Sequence, residues 1–332
     1  MKIERDRDYL TEDIILAELK ECNTQNGEYD AEKLEDSVHK LIQAKSQTSS
    51  PTISFPQEIQ EMFKQLEDNG NPWGLHWGER DLWADGLEVP VAKDQSNVDV
   101  LFWVGCAGSF KQRSQDIARA MLAIFREAKV NFAILGVEEQ CCGAFAKEVG
   151  NEHLFQALAS ENIATLNNYQ IKTIVTNCPH CHHILKDEYP KLGGDFEVIH
   201  HSQYIAKLLK EDRVRLKTPI ANEAVYHDPC FLGGCSQLYQ EPRVVLQAIP
   251  GLKLKPLTQS AQKSFCCGGG GTRRITEESC DHRRLQQILA ADAELITTAC
   301  PFCVNLFEQG ARRQEQAKMM VEDIAEVVIK AF

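Results

Sequence analysis

Two stretches decide the reading of this chain: Ile171-Lys172-Thr173-Ile174-Val175-Thr176-Asn177-Cys178-Pro179-His180-Cys181 and Glu294-Leu295-Ile296-Thr297-Thr298-Ala299-Cys300-Pro301-Phe302-Cys303. Each is a short β-branched run, the pattern of a buried strand, that ends in a pair of thiols with two residues between them. The two pairs lie 122 residues apart. Working outward, Cys141-Cys142-Gly143 recurs 125 residues on as Cys266-Cys267-Gly268, and Cys106 recurs 124 residues on as Cys230. A fixed period of this kind is the mark of an internal repeat, so the chain carries two tandem copies of one domain.

Between the cysteines, apolar runs alternate with amphipathic stretches. In the first copy 98–104, 132–137 and 171–176 are strand-like, while 114–129 and 151–168 are helix-like. In the second, 224–227 and 294–298 are strand-like, and 242–249 and 277–290 helix-like. This rhythm predicts an α/β fold with parallel sheets. The expected organisation is a helical N-terminal extension over 1–95, a first module over 96–217 and a second over 218–332.

Residues 1–95 contain one cysteine, Cys22. Leu10, Ile14, Ile15 and Leu19 fall at helical spacing with Thr11 as N-cap, and Leu34, Val38, Leu41 and Ile42 form a second apolar face. Residues 46–51 read as a linker. A third helix is expected around Ile59, Met62, Phe63 and Leu66, ending at Asn69-Gly70-Asn71-Pro72. Trp73, Trp77 and Trp83 follow within eleven residues. They read first as rings that pack this arm onto the body, and second as a docking patch for a partner.

The 332 residues carry a formal charge of −12, which argues against phosphate-backbone or anionic-lipid binding, so no nucleic acid and no membrane insertion are expected. No stretch reaches the ~20 apolar residues of a membrane span, and the charged start does not resemble a secretory leader; the expectation is a cytoplasmic protein. There, thirteen cysteines are not a disulfide scaffold; they point to metal or redox chemistry. In parallel α/β sheets, ligands bind beyond the strand carboxyl ends, where five thiolates per copy would converge. Zinc wants four ligands, usually from two Cys-x-x-Cys knuckles. One knuckle, one adjacent pair and one further cysteine suit a larger iron–sulfur centre better.

The doubled pattern resembles the cysteine-rich CCG domain found in B-type and D-type components of heterodisulfide reductase, in glycolate and lactate oxidising complexes, and in iron–sulfur oxidoreductases coupled to electron-transfer flavoprotein. The strings Gly105-Cys106-Ala107-Gly108-Ser109, His200-His201-Ser202-Gln203, His227-Asp228-Pro229-Cys230 and 266–271 are similar to that group's. The resemblance implies two non-cubane 4Fe-4S clusters. Cys106, Cys141, Cys142, Cys178 and Cys181 would hold one, and Cys230, Cys266, Cys267, Cys300 and Cys303 the other. It also implies that a disulfide can bind between facing clusters in a soluble heterodisulfide-reductase-like complex. The alternative is a pure electron relay linking a flavoprotein dehydrogenase or electron-transfer flavoprotein to quinone. Implied partners are a ferredoxin-like iron–sulfur protein of the C type, a flavoprotein and a small thiol, disulfide or sulfur carrier. His180 and His227 are the candidate proton donors, with His182 and His183 behind them; structural hydrogen bonding is the commoner role for such residues. The glycines at 268–271 are expected to let backbone N–H groups approach cluster sulfurs. Cys235 and Cys280 fall outside the pattern, and Lys147, Arg273 and Arg274 read as surface charge.

Overall fold

A computed structural model describes residues 55–270, 282–313 and 319–332. The expected helices at 10–19 and 34–42, the linker at 46–51, Cys22, Cys280, Arg273 and Arg274 lie outside the described residues.

Within the unit Gln57–Phe332 the chain starts with helix α1, Gln57–Asn69, whose Ile59, Met62, Phe63 and Leu66 are buried, as their helical spacing predicts. The first copy then runs β1 (Val100–Trp103), α2 (Gly105–Phe110), α3 (Gln112–Glu127), β2 (Phe132–Ala133), α4 (Ala144–Glu148), α5 (Glu152–Asn168), β3 (Thr173–Thr176), α6 (Pro179–His183), β4 (Glu197–His200) and α7 (His201–Lys210). The second runs β5 (Glu223–His227), α8 (Gln240–Gln247), β6 (Lys253–Lys255), α9 (His282–Leu289), β7 (Leu295–Thr298), α10 (Pro301–Arg313), β8 (Met320–Asp323) and α11 (Ile324–Lys330). A π-helical turn, Phe231–Cys235, follows β5.

The two copies form two four-stranded parallel sheets with the same topology, β2-β1-β3-β4 and β6-β5-β7-β8. Strand burial explains the sequence pattern. β1 and β7 are buried on both faces and read as unbroken apolar or β-branched runs. Three further strands leave no clear trace in the sequence because each hides its period. β4 (Glu-Val-Ile-His) and β8 (Met-Val-Glu-Asp) alternate in burial but not in residue type over their four positions, and β6 is Lys-Leu-Lys. The repeat extends to the caps: β4 ends in His200 and β8 in Asp323, and each residue opens the next helix through a capping box, with Gln203 and Glu326 respectively.

Helices α3, α7, α8 and α11 contribute to one core that runs through both copies, including Phe125, Tyr204, Val245, Leu246, Val327 and Val328. Polar contacts reinforce the join. Arg113 forks onto both carboxylate oxygens of Glu326 at 2.8 Å and donates to the Val321 carbonyl. His201 Nε2 meets Asp323 Oδ1 at 2.8 Å, with both side chains fully buried. Ahead of β1, Pro90 and Ala92 exchange backbone hydrogen bonds with Ile134, so this segment runs along the free side of β2. The tryptophans of the arm separate: Trp83 is in the core, Trp73 lies under Lys111 Nζ at 4.1 Å, and Trp77 is 53% exposed. No helix among the described residues is long and apolar enough to cross a membrane.

Candidate metal centre

Cys106, Cys178, Cys230 and Cys300 stand at strand carboxyl ends, where a parallel sheet turns its chain over. Cys106 is in the first turn of α2, just after β1; Cys178 precedes α6, with Cys181 inside that helix; Cys300 and Cys303 stand likewise at α10. Cys141 and Cys142 lie in the turn before α4. Gly143 and Gly268, each following a cysteine pair, have φ of +88° and +85°. The left-handed backbone these turns need is costly for any residue with a Cβ.

The sulfurs within each set touch in matching pairs. In the second copy Cys230 Sγ is 3.4 Å from Cys266 Sγ, and Cys267 Sγ is 3.2 Å from Cys303 Sγ. In the first, the corresponding pairs Cys106 with Cys141 and Cys142 with Cys181 are hydrogen-bonded. Backbone N–H groups face these sulfurs, Gly268 N to Cys266 at 3.3 Å and Gly269 N to Cys267 at 3.4 Å. Gly143 and Ala144 do the same in the first copy. Protons are shared unevenly inside each set. Hydrogen bonds from Cys141 and Cys181 bring the Cys142 thiol down to about 6, against burial, while its neighbours Cys141 and Cys181 are pushed up. Five soft donors brought together at one place fit a multi-iron cluster better than a single tetrahedral ion.

The two copies face each other through their Cys-x-x-Cys turns. His180 and Phe302 occupy equivalent positions inside those turns, and their rings meet edge-to-face at 5.2 Å. The Phe231 ring lies against His180 at 4.0 Å, tilted by 35°. A Cβ on Gly270 would sit 2.8 Å from His180 Cε1, so the second copy's glycine loop closes on this imidazole only because it is glycine. Cys106, Cys141, Cys142, Cys178 and Cys181 line one pocket together with His180 and Phe302. His180 Nδ1 is 3.9 Å from Cys178 Sγ. Burial works against its charge, but Cys178 on one side and Cys300 on the other hold its pKa well above the ordinary value.

The other candidate histidines are placed differently. His227, fully buried at the end of β5, is driven down to about 3 by burial and by Arg284, so it stays neutral and is no imidazolium acid near neutral pH. His182 bonds Ser236 Oγ at 3.0 Å, and His183 pairs with Asp187 on the surface. Lys147 is held by Glu152 and Glu188. Cys235 is exposed, at the end of the π-helical turn.

Several residues of the site carried no sequence signal. Glu139 accepts from the Val104 and Gly105 N–H groups at the mouth of α2 and from Arg80 at 2.9 Å, and both side chains are 2% exposed. Asn162 and Tyr189 clamp the Cys141 and Cys142 carbonyls. In the second copy Arg243 forks onto Asp228, whose carboxylate also accepts from Ala261 N. The partners are 15 to 59 residues apart, beyond any local pattern.

Comparison with known proteins agrees with this geometry. The cysteine-rich domain family matches twice, over residues 100–186 and 224–308. The EtfAB:quinone oxidoreductase of Syntrophomonas wolfei is 37% identical over 295 residues, covering 84% of this chain and 41% of its own length. The "Probable iron-sulfur-binding oxidoreductase FadF" of Bacillus subtilis is 34% identical over 337 residues, covering 98% of this chain and 47% of its own. The D-type component of the dihydromethanophenazine:CoB–CoM heterodisulfide reductase of Methanosarcina barkeri is 31% identical, covering 79% of this chain and 65% of its own. The chain therefore spans less than half the length of the first two relatives. A solved structure of a hypothetical Helicobacter pylori protein shares the fold, with a TM-score of 0.53 at 11% identity, covering 91% of this chain and 59% of that one. With both copies matched and both sets of cysteines in register, the chain belongs to the cysteine-rich CCG domain family.

Proposed function

We propose that this chain is an iron–sulfur electron-transfer component, with one cluster held by Cys106, Cys141, Cys142, Cys178 and Cys181 and a second by Cys230, Cys266, Cys267, Cys300 and Cys303, both of the non-cubane 4Fe-4S type. The observation that carries this reading is the face-to-face placement of the two Cys-x-x-Cys turns, with His180 between Cys178 and Cys300. Clusters store and pass single electrons, and the chain's own residues set their spacing, their hydrogen bonds and their access to water. The space between the turns is filled by the His180, Phe231 and Phe302 rings, which favours a relay over a substrate cleft. We place the relay between a flavoprotein, such as an electron-transfer flavoprotein or a dehydrogenase, and quinone chemistry, in line with what the Syntrophomonas relative's name states of that protein.

A thiol–disulfide reaction in a heterodisulfide-reductase-like complex, with a ferredoxin-like iron–sulfur protein as donor, is the second reading. What favours it is the partial exposure of Cys230 and Cys266, which leaves one cluster edge within reach of a small sulfur compound. The test is iron, sulfide and zinc content after anaerobic purification, with EPR on the same sample. About eight irons per chain is expected for two four-iron clusters. Spectra indifferent to added thiol or disulfide support the relay, and spectra that change support the second reading. About two zinc ions and no iron after reconstitution would overturn both.

A further inference from the structure

His227 stands three residues before Cys230, and its two ring nitrogens meet different surroundings. Nδ1 receives a hydrogen bond from Arg284 Nε at 3.0 Å. Nε2 is buried without a partner among the described residues. A ring nitrogen of His227 and the sulfurs of Cys267 and Cys303 all lie within 4.8 Å of one another; with Nδ1 taken by Arg284, Nε2 is the nitrogen left for the sulfurs. Arg284 is itself fully buried and fixed on three further partners, the Gln259 carbonyl, Gln287 and Ser264 Oγ.

An arginine Nε is always a donor. The Nδ1 it faces must therefore keep its lone pair, and the neutral imidazole carries its proton on Nε2. A histidine that ligates a metal through Nε2 needs the opposite tautomer, with Nδ1–H donating to a carbonyl or carboxylate. In the first copy the same position, 124 residues earlier, is Trp103. Its Nε1–H is also buried without a partner among the described residues. An indole is a donor and has no means to ligate. Both copies thus place an N–H donor here, and only the copy with a histidine, which could ligate, carries a buried arginine behind it. Helix α5, the counterpart of α9, has neither arginine nor lysine.

We propose that Arg284 is a positioning residue that locks His227 in its Nε2–H tautomer, barring it from iron and making it a hydrogen-bond donor to the sulfurs of the second cysteine set. This rests on the reading of that set as a cluster site. Such a donor stabilises the more negative, reduced state and raises the second centre's potential.

The test uses the full chain with 15N-labelled histidine, loaded anaerobically. In wild type, pulsed EPR should show only weak histidine coupling, lost in His227→Phe. That variant should lower one of the two midpoint potentials by about tenfold in the reduction equilibrium, some 59 mV for one electron, and leave the other unchanged. Arg284→Met should bring in the strong coupling of a directly bound nitrogen. Strong coupling already in wild type, or two unchanged potentials in His227→Phe, would overturn the proposal. Should the variants fail to fold, long-range 15N–1H spectra of metal-free wild type still decide: Nε2–H supports the lock and Nδ1–H overturns it. If Cys303→Ala leaves the iron content unchanged, the second set holds no cluster, and the cluster reading and this inference fall together.

Discussion

In the first copy all five cysteines are buried, whereas in the second Cys230 and Cys266 are partly exposed. The scaffolds are the same, with one sheet order, one capping pattern and one set of sulfur pairs. The surroundings have diverged. The first set is backed by the Glu139 carboxyl, which burial pushes up to about 7 against the pull of Arg80 from the segment ahead of β1. The second is backed by the cation Arg284 acting through neutral His227, and by the Arg243–Asp228 pair. Hydrogen bonds, local charge and exposure set the potential of an iron–sulfur centre. On the proposed reading, two sites with matching cysteines and unequal shells would hold electrons at unequal potentials, which would give a relay its direction.

The largest effect should come from breaking one copy at a time. Cys142→Ala and Cys267→Ala are each expected to remove about half of the iron, four of about eight atoms, and one of two EPR signals. Iron analysis and EPR on both variants check this. If either substitution empties both sites, the copies do not fill independently and the comparison fails.

Next is the buried pair that only the first copy has. Arg80→Met leaves Glu139 unpaired in the interior and should cost about 3–5 kcal/mol in denaturant unfolding. Adding Glu139→Gln should recover part of that loss, because the amide oxygen still accepts from Val104 and Gly105. Loss of iron should be confined to the first set. Equal loss from both would show that Arg80 supports the whole unit and not one copy.

These residues also mark the limit of what the sequence discloses. The parallel α/β class, the duplication and the cysteine register are legible because they repeat, and a repeat is visible without knowing what touches what. The edge strand Lys253–Lys255 is not, since one leucine between two lysines is too short a run to carry a signature. Arg80, Glu139 and Arg284 are invisible for another reason. Each is a charged residue of a kind normally found in water, and only tertiary packing reveals that it is buried with a partner. The three clustered tryptophans show a third limit: composition marks them as interface-forming, but the chain path decides that Trp83 faces the core and Trp77 the solvent.

Acid should separate the copies more gently. Burial holds the His182 pKa down to about 4 and, with His201 and His182 close by, keeps His200 well below its ordinary value. Unfolded histidine titrates near 6.5, so below that pH the unfolded chain takes up protons that the folded one refuses. The stability these neutral rings give is complete above about 6.5 and drains away as pH falls toward 4, by roughly 3 kcal/mol for His182 at about 1.4 kcal/mol per unit. The second copy has Val304 and Asp323 at the matching positions. His182→Val, borrowing that residue, should flatten the fall between pH 6.5 and 4 in denaturant midpoints. An unchanged slope would place the acid sensitivity elsewhere.

The smallest expected effect tests the surface on the first copy's side. Trp77 is half exposed and stands by a groove of about 340 Å³ lined also by Glu67, Asp68, Glu138 and Gln140, the last beside Cys141. As a solvent-facing ring, Trp77→Ala should move stability by no more than about 0.5 kcal/mol and leave both midpoint potentials in place. Stopped-flow reduction by a flavoprotein donor gives the second readout. An unchanged rate would mean that the ring only packs against the neighbouring His76. A slower rate at unchanged potentials would mean that electrons enter on the first copy's side, through the acidic groove. The fully buried set would then be the entry point, with the partly exposed set downstream.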